Sequence, residues 1–239
     1  KARCKALPSA LRGTRRCGKN VQGAGRWRRH IRIRERPLAV LNAGTFLFEG
    51  GSPVTERPAF YRFPNGDKAP LPFAPEEYDR RLAGLRRSMA EAGVEVALLT
   101  SMHNVAYYSG FLYCSFGRPY GLVVTDSESV TISAGIDAAQ PWRRCHGDNI
   151  TYTDWARNNF WRAIRSVTGE GAVIGYEADH LTLAQRDLLD DFLKPAATLD
   201  IAPATMRQRM HKSRAEIALI RHGAQVADVG GYAIREAVK

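Results

Sequence analysis

The stretch "PEEYDRRLAGLRRSMAEAGVEVALLT", Pro75 to Thr100, decides the fold class. Tyr78, Leu82, Leu85 and Met89 recur at spacings of 4, 3 and 4, which is one apolar stripe of a helix. Glu76 and Glu77 sit in its first turn, where the helix dipole favours negative charge. Gly93 closes it, because a left-handed C-terminal residue strongly favours glycine. The run that follows, "VEVALLT" at 94–100, is short and apolar and reads as a buried strand.

The same alternation continues outward. "YGLVVT" (120–125) and "SVTISA" (129–134) read as strands separated by a turn at "DSE", and "NITYTD" (149–154) as another. "DWARNNFWRAIRSV" follows as an amphipathic helix with Trp155, Phe160, Trp161, Ile164 and Val167 on its apolar side. "GAVIGYE" is a strand, a helix begins near Thr182, and "TLDIA" is a last short strand. The pattern predicts an α/β domain with a mixed, largely parallel sheet flanked by helices. Beyond Pro203 the strand signals stop and the chain reads as helical, with a break near Lys212–Ser213. Ser213 and Glu216 have the spacing of a capping box, and Ile217, Ile220, Ala224 and Ala227 supply an inner face for the helix after it. These are expected to be the first helices of a second domain.

The 239-residue chain carries a net charge of +11, and the charge is unevenly placed. Residues 1–66 hold 15 of the 35 Lys and Arg but only 3 of the 24 Asp and Glu, leaving 20 basic and 21 acidic residues in the rest. The basic character therefore describes the N-terminal quarter alone. That quarter alternates Arg clusters with Gly and Pro, without periodicity. It fits a nucleic-acid-binding arm, a transit-like leader, or an extraneous extension with no fold; the last is preferred, and disorder is expected in each case. The expected organisation is 1–66 extension, 67–203 α/β domain, and 204–239 start of a further domain. The first methionine is Met89 and the last residues read as an unfinished helix, so the chain is expected to be a fragment. Cys4, Cys17, Cys114 and Cys145 show no metal-ligand spacing and are too few for a disulfide scaffold, which fits a reducing compartment. No apolar run reaches the roughly 18 residues of a membrane span.

No self-contained active site stands out. The glycines of "GEGAVIGYE" precede a strand, the reverse of a dinucleotide-binding turn. Glu177, Asp179 and His180 crowd one segment and read as a solvated loop before a helix. His103 and Asn104 follow a strand end, where a local hydrogen-bonding role is preferred over a catalytic one. His211 and His222 read as helix-surface or interdomain residues and not as ligands. There remains "FLYCSFGRPYGLVV", Phe111 to Val124, an apolar run that carries one arginine. Pro119 holds Arg118 extended, so that Phe116 and Arg118 would project to the same side with Gly117 between them. A ring beside a guanidinium fork suits a small carboxylate ligand. Taken from physics alone, a structural ion pair for Arg118 and a core place for Phe116 are preferred.

The segments "FLYCSFGRPYGLVVT", "TSMHNVAYYSG", "QPWRRC", "DNITYTDW" and "RMHKSRAEIALIRHGAQVADVGG" resemble the creatinases, the creatine amidinohydrolases. The last of these resembles more widely the aminopeptidase P and prolidase relatives, at the start of their α+β pita-bread domain. The likeness runs from about Asn65 to the C-terminus. It implies a creatinase-type N-terminal domain followed by the beginning of a truncated pita-bread domain. It implies metal-independent, cofactor-free hydrolysis of creatine to sarcosine and urea, in a cytoplasmic homodimer. It implies that Phe116 and Arg118 bind substrate for the partner subunit, Arg118 holding the substrate carboxylate. It places the catalytic histidine beyond Lys239, so that no catalytic residue and no metal ligand belongs to this chain and the fragment is expected to be inactive. No membrane or nucleic-acid partner is expected. The alternatives are a metal-dependent Xaa-Pro peptidase and a non-catalytic dimerisation or binding domain.

Overall fold

The computed structural model describes residues 57–62, 64, 66–113, 117–137 and 140–238. The expected extension at 1–66 lies almost wholly outside these residues. A short strand β1 (Phe60–Tyr61) is followed by helix α1 (Pro75–Ala92), strand β2 (Val96–Leu99) and helix α2 (Met102–Ser109). Strands β3 (Gly121–Val124) and β4 (Ser129–Ala134) then form a hairpin, and β5 (Asp148–Tyr152) leads to helix α3 (Asn159–Thr168). Strand β6 (Val173–Tyr176), helix α4 (Leu183–Leu193), strand β7 (Ala197–Asp200) and helices α5 (Ala202–Met210) and α6 (Arg214–Ala237) complete it.

The helix read from the apolar stripe is α1. Tyr78, Leu82, Leu85 and Met89 are all buried along it, and Gly93 ends it at φ 68°, a left-handed cap whose N–H bonds back to the last turn. The strands form one seven-stranded sheet in the order β1-β5-β4-β3-β2-β6-β7. The sheet is mixed, as expected. Its parallel pairs are β2 with β6, β4 with β5, and β6 with β7, each joined by a connection long enough to hold a crossover. The four-residue turn between Val124 and Ser129 forces β3 and β4 antiparallel, and β3 runs antiparallel to β2 as well. Every residue of β2 and β3 is buried, so both faces of the sheet centre are covered.

Helix α1 packs with α2 and α5, and α3 packs with α4 and reaches β3, β4 and β5. The joint to α6 centres on Arg81, which is 2% exposed. Its guanidinium lies 4.3 Å from the ring of Phe73 and 4.2 Å from that of Tyr107. It pairs with Glu77 at 2.9 Å and with Glu216 at 3.5 Å, and donates to the Tyr107 carbonyl. Glu216 closes the expected capping box with Ser213 at the start of α6. Among the described residues of α6, Glu216 alone is buried. Ile217 and Ile220, read from sequence as an inner face, are 40% and 56% exposed, because α6 meets this domain only through its first turn.

Three readings need correction. Met102–Ser109 is a helix, capped by Ser101, where the sequence reading assigned no helix. The aromatic helix starts at Asn159 and not at Asp154; Asn158, at φ 65°, breaks the backbone just before it. Glu177 is buried and belongs to a hydrogen-bond cluster, not to a solvated loop.

Candidate substrate-carboxylate site

The C-terminal ends of β2, β5 and β6 and the start of β3 lie at the same end of the sheet, because β3 runs antiparallel to β2. A cavity of about 530 Å³ opens there. Its lining includes Tyr113, Arg118, Tyr120, Asp154, Trp161 and His180. The crevice beyond the carboxyl ends of parallel strands is where an open α/β sheet offers loops for ligand binding.

Arg118 stands on the segment leading into β3. Gly117 precedes it at φ 71°, a left-handed conformation that glycine adopts without strain. Pro119 follows, and its carbonyl accepts a 3.0 Å hydrogen bond from the Tyr152 hydroxyl. Tyr120 stacks on Tyr113 with ring centroids 4.5 Å apart, and its hydroxyl donates to Asp137. Tyr113 in turn donates to the Thr100 carbonyl at 2.7 Å. The arginine is thus carried by a segment fastened on both sides, while its own side chain is 48% exposed. Its Nε lies 3.4 Å from Asp154 Oδ1, and Asp154 is 35% exposed. The preference for an ion pair at Arg118 therefore meets a real acidic neighbour, but the guanidinium is not enclosed by it. Phe116 lies outside the described residues.

Burial raises the hydroxyl pKa of each tyrosine around this cavity. Tyr113 is pushed up to about 12, first by burial and then by the charge of Glu177. Tyr120 rises through burial and its bond to Asp137. Tyr152 rises through burial and the nearby Asp154. All three act as neutral donors near neutral pH, which suits scaffold groups that hold carbonyls and carboxylates.

Among the other candidates, His103, Asp179, His211 and His222 are exposed. His180 reaches Thr100 through a 2.9 Å contact between Nδ1 and Oγ1. Asn104 has the local role expected of it, donating to Glu177 and Thr205 and accepting from Arg209. Among the described residues, no group of three or more His, Cys, Asp or Glu could hold a metal ion, and no helix is long and apolar enough to cross a membrane. Asp154 was missed in the sequence because its partner lies 36 positions away. The one available signal was an acidic residue placed just past a strand end.

The sequence model of the Creatinase/Prolidase N-terminal domain matches residues 81–211, more than half of the chain. The chain belongs to the creatinase/prolidase N-terminal domain family. Within that family it is 47% identical over 178 residues to a creatinase of Bacillus sp. (strain B-0618), a match covering 73% of this chain and 43% of that protein. The chain thus spans less than half the length of this curated relative. The prolidase of Thermococcus sibiricus superposes with a TM-score of 0.56 at 18% identity, over 66% of this chain and 44% of that one. The prolidase of Pyrococcus horikoshii OT3 superposes with a TM-score of 0.54 at 17% identity, over 66% of this chain and 42% of that one. These two likenesses establish the shared fold and nothing finer.

Proposed function

We propose that this chain is the N-terminal part of a creatinase, a hydrolase that converts creatine to sarcosine and urea, and that Arg118 grips the substrate carboxylate. The observation that carries the reading is Arg118 itself. In a chain 47% identical to a creatinase, it stands half exposed at the rim of a cavity on a fastened segment. An arginine offers a carboxylate two parallel hydrogen bonds, each worth about 1.5–3 kcal/mol when charged. Held in that way, creatine would be oriented for hydrolysis of its guanidino C–N bond by groups from the rest of the protein. The reading makes the protein a cytoplasmic homodimer in which Phe116 and Arg118 of one subunit serve the site of the other. The metal-dependent peptidase alternative shares the fold, but the relatives that support it are below 20% identity at the superpositions given above.

The test is turnover of creatine by the full-length protein, read as urea release. Arg118→Ala is expected to lower kcat/KM by about 10²-fold or more, while circular dichroism and thermal melting stay near those of the unsubstituted protein. Unchanged turnover in Arg118→Ala would refute the carboxylate role. Cleavage of Xaa-Pro dipeptides in place of creatine would favour the peptidase reading.

A further inference from the structure

The loop carrying Arg118 is joined by two rungs to the last residue of β5 and the segment after it. The first is the hydrogen bond from Tyr152 to the Pro119 carbonyl, at 3.0 Å. The second is the ion pair of Arg118 with Asp154, two residues further along. The segment bearing Asp154 is itself pinned. Thr153 Oγ1 and Trp155 Nε1 both donate to the Pro58 carbonyl, at 2.7 and 2.8 Å. Asn159, 2% exposed, donates to the Thr153 carbonyl at 2.9 Å. Asp154 is therefore flanked by anchored neighbours, and its partner Arg118 keeps a side chain that is 48% exposed. The contact is made through Nε, on the side edge of the guanidinium. The two terminal nitrogens form the other edge, which is left free of this contact and can also take a carboxylate through two parallel hydrogen bonds.

We propose that Asp154 is a positioning residue for substrate binding, holding Arg118 by its Nε edge so that the terminal nitrogens meet the carboxylate of a small guanidino acid. This rests on the creatinase reading given above. An exposed pair of this kind is weak, so it biases the arginine among its rotamers and does not lock it. Asp154 also carries a charge of the same sign as the incoming carboxylate. Orientation and repulsion therefore predict opposite changes when Asp154 is removed, which makes the proposal decidable.

The experiment uses the full-length protein with creatine as substrate. Asp154→Ala is expected to raise KM about three- to fivefold with kcat changed by less than about twofold. Asp154→Asn keeps the shape but removes the charge that makes this ion pair, and is expected to raise KM by a similar factor. In an Arg118→Ala background, Asp154→Ala is expected to have no further effect on KM, because the group it positions is gone. A purely structural role would carry its effect into that background, and such a result overturns the proposal. A lowered or unchanged KM in Asp154→Ala overturns it too, leaving Asp154 as a competitor of the substrate or a bystander. Should Asp154→Ala fail to fold, a KM raised about three- to fivefold in Asp154→Asn supports the proposal, and an unchanged or lowered KM overturns it. Absence of creatine turnover in the unsubstituted protein overturns the functional reading and this proposal together. Turnover that needs Arg118 but ignores Asp154 overturns this proposal alone.

Discussion

Glu177 follows β6 directly and is 1% exposed. Four donors converge on it: the backbone N–H groups of Thr100 and Ser101, the Ser101 hydroxyl, and the Asn104 amide, at 2.5–2.8 Å. Ser101, the N-cap of α2, supplies two of these donors, so the carboxylate sits near the favourable end of the helix dipole. Glu177→Gln would turn one acceptor into a donor facing donors. It is expected to lower the unfolding free energy by about 3 kcal/mol, measured by urea denaturation. A change below about 1 kcal/mol would mean that the cluster tolerates the amide. The sequence showed the glutamate, but not its burial. Its partners lie 73 to 77 positions away, and only the parallel pairing of β2 with β6 brings them together.

At the scale of elements, the first two turns of α1 hold the start of α6 through charge. Arg80 hydrogen-bonds to Glu77, and this bond, with help from Arg81 and Ser213, lowers the Glu77 carboxyl pKa from its ordinary 4.5 to about 2 against the opposing effect of burial. A carboxyl with a depressed folded-state pKa stabilises the fold fully above its unfolded value and loses that contribution as the pH falls through the folded one. The Glu77 contribution is therefore complete above about pH 4.5 and lost toward pH 2. Melting temperatures measured across this window are expected to fall more steeply for the unsubstituted chain than for Glu77→Gln. Parallel curves would remove Glu77 as a source of acid sensitivity. The capping box of α6 was legible because Ser213 and Glu216 are three residues apart. The helix at Met102–Ser109 was not, since eight residues give too few turns for periodicity to show.

At the scale of the whole molecule, the proposed function has the site completed by two subunits, and mixing variants tests that sharing. A subunit carrying Arg118→Ala, mixed with one inactivated at the general base of the remaining part of the protein, is expected to restore about a quarter of full activity on random pairing. Half of the dimers are then mixed, and each has one intact site of its two. No recovery, with mixed dimers shown by native mass spectrometry, would argue against a shared site. By itself the sequence determined the alternation of helices and strands, the caps of α1 and α6 and the presence of an arginine in an apolar run. Those depend on contacts within a few residues, where spacing and chemistry suffice. Only the tertiary structure decided which strands are neighbours, that Glu177 is buried, and that Arg118 meets Asp154 while still reaching solvent. Each of those depends on how distant segments are brought to one end of the sheet, and local spacing carries no record of that.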